Sequence, residues 1–397
     1  MLSPRRVLEQ QPVAAAVAYT VVGILPVYFT TAQAVRLQEE LAFGRFEFGF
    51  VVASFYLVSS IASRGLGPTI DRIGITRGFR IGALLSLISS GAIAAAGNSW
   101  QLMAVFLGIA GLSNAFTQLA SNRAVATEVG GRRQGLGFGL KQAAVPMGAL
   151  VAGLVVPWVG FEVSRRWVYV GAAIVAGGFA ALPPHYPHAA PEPARLAGRR
   201  TIPLIGLTIT AALAGGLGNS MASFVVDAAQ SIEFSAGTAA RLLSVGSFTA
   251  IAMRVFLGWS ADRRQRRGVA ELASSLALSA VGFFVLALAG SNQTLFVIGV
   301  VVCFAGAWGW PGVMYYVVTR STALPAATAV GSVLAGGYLG AVVAPPVFGV
   351  LADEVSYSAA FAMGGSLTAV ALGVALYTQR FVTPAEAAAE VRATNRS

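Results

Sequence analysis

The chain has 397 residues, of which 56% are hydrophobic and only 11% are charged, whereas soluble domains carry about 25% charged residues. With a mean hydropathy of +0.71, this composition excludes an ordinary soluble protein. The net charge of +11 lies in short clusters between apolar stretches, so it indicates membrane topology rather than binding to nucleic acid.

Twelve apolar stretches follow one another along the chain. A membrane-spanning helix needs about 20 mostly apolar residues, and twelve of them leave room only for tails and short connections. The hydropathy pattern therefore predicts an all-α membrane protein with twelve transmembrane helices in the lipid bilayer. The predicted spans are 12–34, 47–66, 78–97, 101–122, 135–158, 164–183, 202–226, 237–258, 269–290, 294–318, 328–351 and 359–379.

The longest polar connection lies between the sixth and seventh spans. Residues 184–201 are rich in proline and contain both histidines, His185 and His188. They predict a linker between a half at 1–183 and a half at 202–397 that ends in a short tail. With the N-terminus inside, about 19 of the 27 basic residues fall on the inner side and about five on the outer side. This bias predicts a multi-pass protein of the inner (plasma) membrane with both termini in the cytoplasm.

A short motif occurs twice, about 191 residues apart. The pattern G-x-x-x-D-R begins at Gly67, after the second span, and again at Gly258, after the eighth span. Glycines also recur in spans 4 and 10 and in spans 5 and 11, which are the fourth and fifth spans of the two halves. Matches at an offset of about half the chain predict two six-span halves related by duplication.

The two loop motifs, each after the second span of its half, resemble the signature of the major facilitator superfamily. The first copy departs from the family pattern with Ile75-Thr76 in place of basic residues, and the second copy lacks the later glycine. The resemblance implies a secondary transporter with two six-helix pseudo-repeats, a monomer without a cofactor. It also implies that a cytoplasmic latch formed by the motifs gates the transport cycle. The implied gating residues are Asp71, Arg72, Asp262 and Arg263.

The carboxylates of the motifs lie at predicted helix ends. Asp71 follows span 2 and Asp262 follows span 8. A carboxylate there can bind arginines and the positively polarised N-terminus of a neighbouring helix, while Gly67 and Gly258 allow two helices to approach closely. The alternative is that these charges only set the topology. Recurrence of the carboxylate in both halves favours the gate.

Lys141 is the only lysine in the chain, and it lies eight residues beyond Arg133. Eight residues correspond to about 12 Å along a helix, which is near the middle of a hydrocarbon core about 30 Å thick. A charge at that depth is costly and by default faces a cavity on a substrate or ion path. The alternative is a lysine whose side chain reaches back to the cytoplasmic interface.

Other polar side chains fall at a depth that suits a central cavity. Asn114 and Gln118 are four residues apart and share one helix face, whereas Gln142 follows Lys141 directly and points about 100° away from it. For each of them an interhelical hydrogen bond is the alternative to substrate contact. The predicted substrate-binding residues are Lys141, Asn114, Gln118, Gln142, Tyr28, Asn219, Tyr315 and Tyr338.

Two further residues of the second half are assigned to structure rather than to binding. Arg254 lies one turn before Gly258, and we expect it to pair with Asp262 or with carbonyl groups near the inner surface. Trp308 is expected to pack against neighbouring helices, since tryptophan in a span more often packs than binds substrate.

The charge pattern points to an anionic substrate. No Asp or Glu is predicted at mid-depth in any span, so the cavity around Lys141 is expected to be cationic. The sequence therefore predicts alternating-access transport of a small organic anion, with a carboxylate as the first choice. The sequence leaves two candidates for the coupling partner that drives transport, namely protons and a counter-transported anion.

An exporter of amphiphilic drugs or metabolites on the same fold is the alternative to the anion transporter. An enzyme is not expected, because the sequence has no metalloprotease, serine-hydrolase or nucleotide-binding motif. Both histidines lie in the linker, so a metal site within the bilayer is not expected either.

Overall fold

The chain folds into helices joined by short connections. The structure is a computed structural model that describes residues 4–161, 164–187, 201–264, 268–322 and 324–380, and no β-strand occurs within those ranges. His188 and most of the predicted linker lie outside the described residues, as does the predicted C-terminal tail. The helices are α1 Pro4–Ala32, α2 Ala34–Leu41, α3 Arg45–Ile73, α4 Ile75–Ala96, α5 Trp100–Glu128, α6 Gln134–Val155 with a π-helical continuation Val156–Phe161, α7 Arg165–Ala181, α8 Thr201–Gln230, α9 Ala236–Arg264, α10 Val269–Ala289, α11 Gln293–Ser321, α12 Ala326–Glu354 and α13 Tyr357–Gln379.

Most of these helices are transmembrane helices. Eleven helices of the described part are long and apolar enough to cross a membrane. Helix α7 has 17 residues, at the lower end of the range of about 17–25 residues that spans a bilayer, whereas α2 with 8 residues is too short. These helices confirm the predicted all-α, multi-pass membrane protein, with α7 as the twelfth span.

Two helices run further than their predicted spans. Helix α3 continues past residue 66 to Ile73, and α9 continues past residue 258 to Arg264. Both G-x-x-x-D-R motifs therefore lie in the last turns of helices, and their prediction as loops was wrong. Hydropathy ends a span where charges begin, but a helix continues into the headgroup layer, where water and headgroups solvate charged side chains.

Polar caps and a glycine turn set several helix boundaries. Ser356 Oγ accepts a hydrogen bond from the Ala359 N–H at 3.2 Å, and Asn292 Oδ1 accepts one from the Leu295 N–H at 3.0 Å. Such N-caps satisfy amides that have no carbonyl partner within the helix. Gly74 has a φ of +88°, which glycine adopts without strain, and it turns the chain directly from α3 into α4.

The chain divides into two compact units. Each unit contains most of one half of the chain and a short segment of the other half, because the first turns of α6 group with the second half and those of α12 with the first half. The predicted domain boundaries at residues 183 and 201 stay predictions. Unit 1 comprises Met1–Gly130, Lys141–Glu192 and Ala326–Gly331, and unit 2 comprises Gly131–Leu140, Pro193–Pro325 and Ser332–Ser397.

Unit 1 contains a tight crossing of α3 and α5. A Cβ atom at Gly111 of α5 would come within 2.3 Å of the carbonyl oxygen of Phe55 on α3. Ser59 Oγ, one turn further along α3, donates a hydrogen bond to the Gly111 carbonyl oxygen at 2.9 Å. Lipid is as apolar as the side chains, so helix association in a membrane depends on small residues and interhelical hydrogen bonds of this kind.

Unit 2 contains a comparable crossing of α10 and α11. A Cβ atom at Gly282 would come within 2.3 Å of the backbone nitrogen of Cys303, and one at Gly306 would come within 2.1 Å of the backbone nitrogen of Ser279. Cys303 is the single cysteine of the chain and is fully buried at this crossing. The neighbouring aromatic side chains Phe283 and Phe304 are also buried, so this crossing belongs to the apolar core of unit 2.

Replacing Gly111 with valine is expected to force α3 and α5 apart and to lower the free energy of unfolding by about 1–3 kcal/mol. Gly171 of α7 offers a matched control, because nothing lies within 4 Å of a Cβ atom built there. The melting temperature of each purified variant in detergent measures the effect. A similar loss in Gly171→Val would contradict the importance of the crossing.

The short helix α2 is tied to α7 by charged groups. Glu40 accepts hydrogen bonds from Arg36 at 2.5 Å and from Arg165, and Arg165 also donates to the Gly97 carbonyl oxygen at 3.1 Å. Partial burial of Glu40 acts to raise its pKa, but the hydrogen bonds from the two arginines outweigh burial and hold the pKa of this carboxyl below its ordinary value.

Stability at low pH should report this contact. A carboxyl whose pKa is lower in the folded state stabilises that state at pH values above its unfolded-state pKa, about 4.3, and the contribution is lost as the pH falls through the folded-state pKa. Glu40→Gln is therefore expected to lower the melting temperature at pH 7, with a difference from wild type that shrinks below about pH 4. Thermal scans between these pH values measure the difference. A difference that stays constant with pH would mean that the charge of Glu40 is unimportant.

Candidate functional site

Lys141 lies within α6, in unit 1. Its side chain is fully buried, and its ammonium group donates hydrogen bonds to the amide oxygen of Gln118 on α5 and, at 2.8 Å, to the amide oxygen of Gln142. Helix α6 begins at Gln134, seven residues earlier, which places Lys141 about 10 Å along the helix. The ammonium group is therefore held by side chains inside the helix assembly of unit 1.

The hydrogen bond to Gln142 differs from the sequence prediction. Adjacent positions of a helix point about 100° apart, and the sequence interpretation separated these two side chains for that reason. Both side chains are long, however, so Nζ of Lys141 and Oε1 of Gln142 meet at 2.8 Å although their Cα–Cβ bonds diverge. Two amide oxygens, one from α5 and one from α6, thus bind the ammonium group.

A column of polar side chains extends along α5 on either side of Gln118. Asn114, one turn earlier and fully buried, donates from Nδ2 to Ser59 Oγ at 3.2 Å. Asn122, one turn later, donates to the main-chain oxygen of Gln118 at 2.8 Å, and its Oδ1 is buried without a hydrogen-bond partner among the described residues. Asn122 is not among the predicted binding residues, although the four-residue spacing from Asn114 through Gln118 is the signal in the sequence that would find it.

Tyr28 of α1 packs against the same helix that carries Lys141. A Cβ atom built at Gly148 of α6 would lie 3.1 Å from Cδ2 of Tyr28. Gly148 is two turns beyond Lys141 on the same face of α6, so Tyr28 lies about 10 Å along α6 from the lysine. The structure therefore brings Gln118 and Gln142 to Lys141 and extends the polar set with Asn114 and Tyr28.

The three remaining predicted binding residues belong to unit 2. Asn219 of α8 donates to the carbonyl oxygen of Gly215 in its own helix at 2.8 Å. Tyr315 of α11 is buried, and Tyr338 of α12 is partly exposed. They are distributed over three helices of unit 2, and their role in binding stays a prediction.

Asp71 binds the N-terminus of α12. Its two carboxylate oxygens accept hydrogen bonds from the backbone N–H groups of Ala327 at 3.2 Å and Thr328 at 2.8 Å, and from the Thr328 hydroxyl at 2.6 Å. Arg123 Nε lies 3.7 Å from the same carboxylate, and Arg123 also donates to the Ile70 carbonyl oxygen at 2.6 Å. The expected contact between the motif carboxylate and a helix N-terminus is therefore present in unit 1.

Asp262 binds the N-terminus of α6 in the same way. Its oxygens accept hydrogen bonds from the backbone N–H groups of Gly135 at 2.8 Å and Leu136 at 2.7 Å. Arg320 donates to Gln134 Oε1 at 3.1 Å and to the Gly131 carbonyl oxygen at 2.9 Å, so an arginine again joins the cluster. The sequence duplication is thus matched by a duplicated contact, once in each unit.

Both contacts depend on a helix crossing that has no room for a Cβ atom. A Cβ atom at Gly67 would come within 2.7 Å of the Thr328 Cα, and one at Gly258 would come within 2.4 Å of the Gly135 carbonyl oxygen. Each glycine lies four residues before its aspartate, on the same helix face. The motif spacing therefore couples a close crossing to a carboxylate that caps the crossing helix.

The arginines of the motifs have a different environment from the aspartates. Arg72 and Arg263 are exposed, and the guanidinium of Arg263 lies 4.4 Å from the ring centroid of Trp259. The arginines in the two clusters are Arg123 and Arg320. Arg123 follows predicted span 4 and Arg320 follows predicted span 10, and these glycine-containing spans are the fourth of their respective halves. This equivalence was the signal in the sequence that could have assigned the two arginines to the clusters.

The contact in unit 1 includes a side-chain hydroxyl donor from Thr328, whereas unit 2 has a leucine at the corresponding position. Thr328→Val removes the hydroxyl that donates to Asp71 and keeps the side-chain shape, so we expect it to lower the free energy of unfolding by about 1.5–3 kcal/mol. Leu136 occupies that position in unit 2, and Leu136→Thr is expected to raise the melting temperature by adding a hydroxyl donor beside Asp262. Thermal unfolding of both variants measures this. Equal melting temperatures for Thr328→Val and wild type would show that the hydroxyl is dispensable.

Among the residues that the structure describes, no three His, Cys, Asp or Glu side chains come together as ligands for a metal ion.

Comparisons with known proteins give a family and a fold. The family model described as Major Facilitator Superfamily matches residues 13–274 and 207–395. No curated protein matches the chain. Among solved structures, the E. coli fucose:proton symporter FucP is similar with a TM-score of 0.75 and 14% identity, covering 94% of this chain and 99% of that one.

Two further structures cover nearly the whole chain. The proton:xylose symporter XylE, bound to 6-bromo-6-deoxy-D-glucose, has a TM-score of 0.80 and 13% identity, with 95% of this chain and 96% of that one covered. The human organic anion transporter MFSD10 (TETRAN) has a TM-score of 0.74 and 16% identity, with 92% and 99% covered. At these identities the likeness shows the fold.

Proposed function

This chain belongs to the Major Facilitator Superfamily, and we propose that it transports a small organic anion, with a carboxylate as the first choice, by alternating access. It is a membrane transporter rather than an enzyme. The proposal concerns its substrate, its orientation and the residues that act in the cycle.

The observation that carries the proposal is the buried ammonium group of Lys141. An ionised side chain inside a membrane protein is costly and by default belongs to a substrate or ion path. Lysine also presents a compact point charge on a flexible side chain. Full burial of this group in a helix of the first half supports a role in binding rather than in setting topology.

The surroundings of the ammonium group suit a carboxylate. The oxygens of Gln118 and Gln142 orient it through hydrogen bonds, and amide oxygens carry no formal charge. In a medium of low dielectric constant, attraction between an ammonium and a carboxylate is much stronger than in water. A carboxylate that enters this environment therefore gains a charge-assisted hydrogen bond to Lys141, while Asn114 and Asn122 offer further polar groups on α5.

The remaining assignments complete the proposed cycle. Asp71 and Asp262, with Arg72 and Arg263 nearby in the motifs, act as gates, because a contact of a carboxylate with a helix N-terminus can break and re-form as helices move. Tyr28, Asn219, Tyr315 and Tyr338 contribute to substrate binding. Protons or a counter-transported anion drive the cycle. The transporter works as a monomer in the inner membrane, with both termini in the cytoplasm, as the excess of arginine on that side favours.

The human relative named an organic anion transporter has a function of the class proposed here, and it supports the proposal as an example of that class on this fold. FucP and XylE are named as proton symporters of sugars, which makes protons a natural first choice when the coupling partner is tested.

Thermal stabilisation of the purified protein tests the substrate class. A ligand present at about 100 times its Kd stabilises the folded state by about 2.7 kcal/mol. We expect small carboxylates to raise the melting temperature of wild type and of Lys141→Arg, which keeps the charge, but not of Lys141→Gln. Arg166, an exposed cation, provides the matched control, and Arg166→Gln is expected to respond like wild type.

Uptake into proteoliposomes extends the test to transport. Carboxylates that stabilise wild type should accumulate, and Lys141→Gln should abolish accumulation. If neutral amphiphiles or hydrophobic cations stabilise wild type and Lys141→Gln equally, the proposal is wrong and an exporter of amphiphilic drugs or metabolites takes its place.

A further inference from the structure

The side-chain amide of Asn122 on α5 is hydrogen-bonded at only one of its two ends. The residue is fully buried, and its Nδ2 donates a hydrogen bond to the main-chain oxygen of Gln118 at 2.8 Å. Its Oδ1 is buried and has no hydrogen-bond partner within the described ranges. Only the nitrogen end of an amide can donate to a carbonyl oxygen, so the hydrogen bond to Gln118 fixes which end of Asn122 is left to accept.

Packing alone does not explain an amide at this position. A buried carbonyl oxygen without a donor lowers stability, because it has given up its hydrogen bonds to water. Leucine has nearly the same shape as asparagine and would fill the position without that cost. A donor on a bound molecule does explain the amide, because it supplies the missing hydrogen bond whenever that molecule is present.

Asn122 lies one helical turn from the side chain that binds the ammonium group of Lys141. That side chain is Gln118, whose Oε1 accepts a hydrogen bond from Lys141 Nζ. Residues four apart in a helix share a face, with about 5–6 Å between their Cβ atoms. The amide of Asn122 and the ammonium group therefore lie on the same side of α5. An anion whose carboxylate binds Lys141 has its remaining atoms within reach of Asn122 Oδ1.

We propose that Asn122 Oδ1 accepts a hydrogen bond from a hydroxyl group of the substrate, and that the transported anion is therefore a hydroxycarboxylate. This inference rests on the proposed function, which assigns the carboxylate of the substrate to Lys141. A hydroxyl group is an uncharged donor that an amide oxygen accepts. An ammonium donor, as in an amino acid, is disfavoured at Asn122, because it would lie close to the cation of Lys141 and like charges repel each other.

Two pairs of probes that differ by one hydroxyl group test the proposal. Lactate is compared with propionate, and 3-hydroxybutyrate with butyrate, so that the hydroxyl group is presented at either of two carbons. The melting temperature of the purified full chain is titrated with each probe at constant ionic strength, which gives a Kd. In at least one pair we expect the hydroxy acid to have a Kd lower by about tenfold or more, because the analogue leaves the buried oxygen without a donor.

Asn122→Leu keeps the shape of the side chain and removes the acceptor. We expect it to weaken binding of the preferred hydroxy acid by about tenfold or more, and to leave the Kd of propionate and butyrate unchanged. The two members of each pair should then bind equally. Should Asn122→Leu fail to fold, Asn122→Ala removes the same acceptor without adding bulk, and the same loss of preference is expected.

Gln33 provides a matched control. It is buried, its Nε2 donates to the Phe29 carbonyl oxygen at 3.0 Å, and its Oε1 likewise has no hydrogen-bond partner in the described part of the chain. It follows α1 directly, five residues beyond Tyr28, which itself lies about 10 Å along α6 from Lys141. Gln33→Met removes the same kind of oxygen away from the ammonium group and is expected to keep the wild-type preference for hydroxy acids.

The outcomes distinguish this inference from the proposed function. If wild type binds both members of each pair equally, or if the preference persists in Asn122→Leu, the role of Asn122 is overturned and the proposed function stays intact. A preference that is lost equally in Gln33→Met also overturns it, because the effect is then not specific to the neighbourhood of Lys141. The absence of any response to the four carboxylates in wild type overturns both.

Discussion

The contact between a carboxylate and a helix N-terminus organises both units. The first amides of a helix have no acceptor within the helix, so a buried helix end needs acceptors from elsewhere in the chain. Asp71 satisfies these amides for α12 and Asp262 does so for α6, while the helix ends in turn stabilise the two buried charges. The glycines one turn earlier let the backbones approach closely enough for this contact. As a result, the first turns of α6 and α12 group with the opposite half of the chain.

Two cations are buried by different means. Amide oxygens from two side chains surround the flexible ammonium group of Lys141, whereas a carbonyl oxygen and the ring of Trp308 fix the flat guanidinium of Arg254. The two units therefore bury their cations in unlike environments, although their sequences share one repeated pattern.

Much of this architecture could be predicted from local sequence patterns. Helix number, the repeat and the depth of Lys141 follow from hydropathy and spacing, which depend on residues close together in the chain. The partners of Asp71 could not be predicted, because Thr328 is 257 residues away along the chain. Asn122 continues the four-residue spacing of Asn114 and Gln118, so the sequence does carry a signal for it. The contact of Gln142 with Lys141 was not predicted, because side-chain length overcomes the divergent Cα–Cβ directions. Arg254 was assigned to the interface from its distance to the motif alone.

The location of Cys303 makes the native chain a convenient background for site-directed labelling. It is the single cysteine, and it is fully buried at a crossing where a Cβ atom on Gly282 would come within 2.3 Å of its backbone nitrogen. Thiol reagents need an accessible thiolate, so this sulfur stays unmodified while the protein is folded. Cysteines introduced in pairs on exposed helix ends can then carry spin labels or fluorophores, and distances between them can be followed through a transport cycle without first removing the native thiol.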